Sequence, residues 1–111
     1  MAFDRFDVVV VPFPFTHRAQ QKCRPALILS NAAFYKQSGH SVMAMITSVG
    51  NAPWPLDVKI RNLKTAGLPA ASVVRMKLFT LDDQFVAARI GRLSQADQAQ
   101  VEQSFAVLLS R

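Results

Sequence analysis

The chain reads as short β-type runs first and one helix last, an order that limits it to a small antiparallel sheet or barrel closed by a single helix. Residues 6–15 are rich in valine and phenylalanine and read as a strand. Pro12 and Pro14 lack amide donors, so that strand should end in an edge or run along one. Residues 16–22 are polar and read as a loop, and residues 25–30 as a buried strand. Residues 31–39 fit either a turn or a short helix; 41–48 form a third strand. Gly50, Asn51, Pro53 and Pro55 mark the next loop.

Residues 56–61 then alternate strictly. Leu56, Val58 and Ile60 share one face, and Asp57, Lys59 and Arg61 the other, which predicts a half-buried strand with a charged outer face. After a connection at 62–69, residues 72–79 form a further strand. It sends Val74, Met76 and Leu78 one way and Val73, Arg75 and Lys77 the other. The basic pair would be a natural floor for a phosphate track. Asp82 and Asp83 fall in a turn, and residues 85–90 give a last short strand ended by Gly91. Ser94 opens the helix as its cap, with Asp97 suited to the positive helix end. Val101, Phe105, Leu108 and Leu109 make an apolar packing stripe at helical spacing. Five or six strands with a closing helix predict a mainly β, half-open antiparallel barrel, one domain over residues 1–111.

Charge narrows the partners. Net charge is +6, and residues 8–81 hold one acid, Asp57, against nine bases: Arg18, Lys22, Arg24, Lys36, Lys59, Arg61, Lys64, Arg75 and Lys77. A field of one sign attracts polyanions and steers their approach. A nucleic acid fits it, and so does an acidic protein. The single cysteine, Cys23, excludes an internal disulfide and a thiolate-cluster zinc site; it reads as a half-buried apolar thiol. The expected location is cytoplasmic: the start of the chain shows no secretory signal, and no stretch approaches the roughly 20 apolar residues of a membrane helix.

Five segments carry a family resemblance. Asp7 to Thr16 (DVVVVPFPFT) resembles the opening strand of MazF/PemK-type toxins, the endoribonucleases of type II toxin–antitoxin pairs. Arg24 to Ser30 (RPALILS) is similar to that family's Arg-Pro-Ala-Leu-Val strand, and Ile46-Thr47-Ser48 to its Thr-Ser strand end. Val73-Val74-Arg75 falls where the family often has Val-x-x-Asp-Gln or Val-Arg-x-Asp, and residues 88–94 (ARIGRLS) resemble its last strand and entry to the helix. Each motif is weak alone; five in order, over nearly the whole chain, are specific. The resemblance implies an SH3-like barrel and a homodimer with an RNA groove across its interface. It also implies cleavage of single-stranded RNA without a metal or other cofactor, and a small, acidic-tailed antitoxin that covers the groove.

In such cleavage the RNA's own 2′-hydroxyl attacks the adjacent phosphorus and expels the 5′-oxygen, leaving a cyclic phosphate and a 5′-hydroxyl. The protein must accept one proton, donate another and stabilise the phosphorane charge. Arg24 suits the last role, because its planar fork matches two phosphate oxygens. By resemblance Thr47 contacts the scissile phosphate, with Ser48 assisting. His17, in the first loop, titrates near neutrality and is a candidate base or acid; His40, in a polar turn, reads as a bystander. Arg75, Lys77 and Lys22 are candidate RNA-binding cations. Trp54 stacks a base, closes the barrel or lies in the dimer face. The departure is Lys77, which stands where one branch of the family has an Asp that is a candidate base. Either His17 takes over, or Arg24 works with Thr47 as in the other branch. Lys77 also keeps open a non-catalytic SH3-like module that binds RNA or protein. A DNA-binding regulator is weaker, for no helix-turn-helix pattern appears.

Overall fold

The computed structural model describes residues 3–13 and 22–110. Among them run β1 (Asp7–Phe13), β2 (Lys22–Ile28), α1 (Ala32–Ser38), β3 (His40–Ser48), β4 (Val58–Lys59), α2 (Leu63–Ala66), β5 (Ser72–Asp82), a 3₁₀ turn (Asp83–Phe85), β6 (Ala88–Arg92) and α3 (Gln95–Leu109). The strands form one six-stranded sheet in the order β4-β5-β3-β2-β1-β6. Each neighbouring pair is antiparallel. The sheet curls into a half-barrel, mainly β with a C-terminal helix, as the sequence predicts.

Alternation along the strands builds a core on each face. Val8, Leu27, Ala44, Ile46 and Val74 pack beneath Leu93 and Val101, at the start of α3 and within it. Val9, Val11, Ala26, Ile28 and Met43 point the other way and meet Phe3, Phe79, Leu81 and Val86. On this second face the apolar cluster stops short of the sheet's end, and polar and basic side chains begin there.

The prolines fix where ladders stop. Leu29 donates its amide to Val42 O across the β2–β3 ladder. By alternation the Pro25 nitrogen faces the same way. It has no hydrogen to give, and the β2–β3 pairing runs only from Ala26–Met45 to Ile28–Met43. Pro12 likewise lies past the last β1–β6 pair, Val10–Ala88, on a stretch of β1 that is an edge on that side. Pro14 and the expected loop from residue 16 fall largely outside the described residues; Lys22 itself opens β2.

Several boundaries differ from the sequence reading. The alternating 56–61 segment keeps its faces, with Val58 and Ile60 buried and Lys59 and Arg61 exposed. Only Val58–Lys59 forms ladder pairs, however. Leu56 adopts a left-handed φ of 65°, which breaks the strand before it. After it, the Arg61 and Asn62 amides turn away to the carboxylate of Asp97 at 3.0–3.2 Å. Residues 31–39 resolve as a helix because Asn31 caps its start and Gly39, at φ 72°, its end. The 62–69 connection holds the one-turn α2. β5 runs on to Asp82, so that residue ends a strand and caps the 3₁₀ turn. β6 begins at Ala88 and runs through Gly91 to Arg92. Gly91 lies against the α2 backbone, where a Cβ would sit 2.3 Å from the Ala66 carbonyl carbon. The helix stripe is only partly packing: Val101 is fully buried and Phe105 half-buried, whereas Leu108 and Leu109 are 39% and 65% exposed. Cys23 is exposed, not half-buried, because it lies beyond the β2–β3 ladder.

Asp97 is 1% exposed and ties α3 to the end of β4. Asp97→Ala strands two amide hydrogens in a closed site and is expected to cost about 3 kcal/mol. Urea unfolding measures this; a loss below about 1 kcal/mol would show that solvent replaces the carboxylate.

Candidate functional site

Where β2 leaves β3, the second sheet face opens into a cleft of about 260 Å³ lined by Arg24, Met45, Thr47, Asn51, Arg75 and Lys77. Three strands and one loop supply these side chains. Arg24 is exposed on β2, one residue before Pro25. Thr47 is next to last on β3, and a register extended past Ala26–Met45 sets it opposite Arg24. Arg75 pairs with Met45 across the β3–β5 ladder. The ladder then shifts so that Met76 and Lys77 have no partners of their own. This bulge pushes Lys77 outward, toward Trp54.

The three cations differ in what holds them. Arg75 donates to both Asp57 carboxylate oxygens, from Nε at 3.2 Å and Nη2 at 2.9 Å, and Nη2 also reaches Ala52 O at 2.8 Å. Hydrogen bonding to Asp57 holds the Arg75 guanidinium above the ordinary arginine pKa. Asp57 Oδ2 accepts the Trp54 amide as well, at 3.1 Å. The one acid of the basic stretch therefore folds the 50–56 loop onto β5. Lys77 Nζ lies 4.6 Å from the centre of the Trp54 ring, a cation–π contact. The Arg24 backbone pairs with Val11 in the β1–β2 ladder, but among the described residues its side chain makes no hydrogen bond or ion pair, and it lines the cleft.

A second cleft of about 250 Å³ adjoins the first. Arg24, Thr47 and Asn51 line both, so they form the ridge between them. Beyond the ridge the second cleft has Pro25, Ser48, Leu68, Pro69 and Ala70 in its walls and no other charged side chain. One side of the ridge is cationic; the other is shaped by neutral groups. Among the described residues, no three His, Cys, Asp or Glu side chains are grouped so as to hold a metal ion.

Of the residues singled out from the sequence, Arg24, Thr47, Arg75 and Lys77 converge on one cleft. Ser48 lines the neighbouring one, and Trp54 joins the first through Lys77. Lys22 is exposed at the start of β2 and lines neither cleft. His17 lies outside the described residues. His40 is at the far end of β3, with Nδ1 2.8 Å from Ser38 O. Arg75, a candidate RNA-binding cation, lines the cleft with much of its fork committed to Asp57 and Ala52. The sequence reading missed Asn51 and the clamp role of Asp57. A lone acid in a basic stretch, on a strand face shared with arginine, was the available signal for the clamp.

The sequence pattern of PemK-like, MazF-like toxins of type II toxin–antitoxin systems matches residues 4–109. No curated protein sequence matches the chain. The fold is similar to MazF from Deinococcus radiodurans, with a TM-score of 0.75 and 24% identity, over 98% of this chain and 97% of that one. It is similar to the same organism's MazE–MazF complex (Form-III), with a TM-score of 0.77, 24% identity and coverage of 98% and 97%. A mycobacterial endoribonuclease in complex with its cognate antitoxin gives a TM-score of 0.74 at 18% identity, over 97% of this chain and 93% of that one. At these identities the likeness shows a shared fold.

Trp54 is the single tryptophan, so its fluorescence reports on the clamp. Asp57→Ala removes the group that holds both Arg75 and the Trp54 amide. A red-shifted emission and stronger quenching by acrylamide are expected. Unchanged emission would mean that the Lys77 contact alone keeps the loop in place.

Proposed function

The chain belongs to the PemK-like, MazF-like toxins of type II toxin–antitoxin systems, and from that premise we propose that it cuts single-stranded RNA at the Arg24–Thr47 ridge, using the RNA's own 2′-hydroxyl as nucleophile. One observation carries this reading: Arg24, Thr47, Arg75 and Lys77 come from three different strands to a single cleft.

The scissile phosphate fits the ridge. Arg24 offers two parallel donors to its non-bridging oxygens, and the Thr47 hydroxyl a third. As the 2′-oxygen bonds to phosphorus and the P–O5′ bond breaks, negative charge builds on those oxygens, where fixed donors act most strongly. Lys77 adds positive charge along the cleft, while Arg75 is partly neutralised by Asp57. The reaction is complete without a metal once a base takes the 2′-hydroxyl proton and an acid gives one to the departing 5′-oxygen. His17 is assigned to that proton transfer, since imidazole does both near neutral pH. Ser48, Lys22 and Trp54 contact flanking nucleotides in this reading.

The partners follow from the same charge. A cationic cleft suits an acidic antitoxin that masks the groove, as well as RNA, and a homodimer would extend the groove across two copies. Among the described residues no helix is long and apolar enough to cross a membrane. A second reading, a non-catalytic RNA- or protein-binding module, is favoured by one observation: Lys77, two residues past Arg75, packs on Trp54 and brings no carboxylate to the cleft.

Purified protein incubated with a long unstructured RNA and a chelator separates the two. Discrete cuts with cyclic phosphate and 5′-hydroxyl ends are expected, slowed at least about 100-fold by Arg24→Ala. RNA that binds but stays intact would establish the binding module. Cutting that survives Arg24→Ala would retain the nuclease and remove Arg24 as its chief anion ligand. A His17→Ala variant with an unaltered pH–rate profile would remove His17 from proton transfer.

A further inference from the structure

We infer that Asn51 is a positioning residue that makes the Thr47 hydroxyl a hydrogen-bond donor toward the phosphate; this rests on reading the ridge as the site of the scissile phosphate. Asn51 Nδ2 lies 2.7 Å from Thr47 Oγ1, 3.2 Å from Ser48 O and 3.3 Å from Ser48 Oγ. The Ser48 carbonyl can only accept, so the amide nitrogen, and not the oxygen, faces this group. Its two hydrogens divide between Thr47 Oγ1 and the Ser48 oxygens.

The consequence lies in the hydroxyl. Thr47 Oγ1 has one hydrogen and two lone pairs. With a lone pair taken by Asn51, its hydrogen must point elsewhere. Among the described residues it meets no acceptor. Thr47 lines both clefts, so the free hydrogen is available to an oxygen placed on the ridge. A threonine with no such neighbour would rotate between donating and accepting, and only one of those states helps an anion. Asn51 thus fixes beforehand a dipole that would otherwise have to reorient during the reaction.

Turn formation alone does not account for the contact. The Asn51 backbone amide already closes the turn onto Ser48 O at 3.3 Å. The shortest bond of the side chain goes instead to an exposed hydroxyl that the turn does not need. Asn51 is itself exposed, so its substitution leaves the core intact.

The test is a double-mutant cycle in single-turnover cleavage, with binding of an oligonucleotide carrying 2′-deoxyribose at the cut site measured beside it. Asn51→Ala is expected to slow cleavage about 10-fold and to change that Kd less than about 3-fold. Asn51→Asp has the same size but accepts where Asn donates; it would draw the hydroxyl hydrogen to itself and slow cleavage about 100-fold. In a Thr47→Val background neither change should slow the residual rate further. Equal slowing in the wild-type and Thr47→Val backgrounds would overturn the inference, for Asn51 would then act independently of the hydroxyl. So would an Asn51→Asp variant as active as wild type. Either result leaves a cleaving wild type and the nuclease reading intact. A wild type that cuts no RNA removes the nuclease reading and this inference together.

Discussion

Pro25 has no amide hydrogen, and its nitrogen faces β3 at the point where the β2–β3 ladder ends. On the other side, β2 stays paired with β1 through Val10–Pro25, Val11–Arg24, Pro12–Cys23 and Phe13–Lys22. β2 therefore follows β1 while β3 follows β5, and the sheet parts between them. Arg24 and Thr47, the next alternate positions, lie past the last β2–β3 pair, Ala26–Met45. Both line the two clefts that open where the ladder has ended. The residue next to the principal cation thus also shapes the space that the cation serves.

Electrostatics then sets what enters. The Asp57–Arg75 pair has side chains only 18% and 13% exposed, and it holds the 50–56 loop, the Trp54 amide and β5 together. Spending the one acid of residues 8–81 on this clamp has two effects. It fixes the loop that carries Asn51 and Trp54, and among the described residues it leaves Arg24 and Lys77 without an ion-pair partner at the cleft. Rigid framing with unspent donors is what a site for a developing anion requires. The α3 face of the sheet takes no part in this. Asp97, Val101 and Leu93 stabilise the fold from the opposite side, so stability and site chemistry rest on largely separate side chains.

The order of strands, the closing helix and the faces of residues 56–61 and 72–79 were legible because side-chain alternation follows directly from backbone geometry. Hydrogen-bond partners were not. Nothing in 56–61 itself says that Asp97, 36 residues beyond Arg61, will take the Arg61 and Asn62 amides and end the strand. The α3 stripe was legible as a period but not as a depth of burial, because period says nothing of where the sheet beneath it stops. In the candidate site, Arg24 and Thr47, singled out by their family motifs, line one cleft. The Asp57 partner of Arg75 was not legible, since a basic residue on a strand face looks the same whether solvent, phosphate or a carboxylate from another strand is opposite. Asn51 read only as a loop marker, and its reach back over four residues to Thr47 depends on how the turn at Gly50 closes.

A final constraint concerns proton transfer. Arg24, Arg75 and Lys77 bring donors to the cleft and, in their charged states, no lone pair to receive a proton. A lone pair of Thr47 Oγ1 is taken by Asn51. Both Asp57 oxygens are bound, one by Arg75 and the other by Arg75 and the Trp54 amide. Of the titratable groups weighed from the sequence, His40, Asp82 and Asp83 stand at the opposite end of β3 and β5. Among the described residues, then, the cleft is rich in groups that stabilise an anion and holds no free base. A nuclease built on it either takes its proton acceptor from outside these residues or has Arg24 work with Thr47, a pairing that the sequence also allows. His17, proposed above for that proton transfer, belongs to the stretch between β1 and β2, outside the described residues.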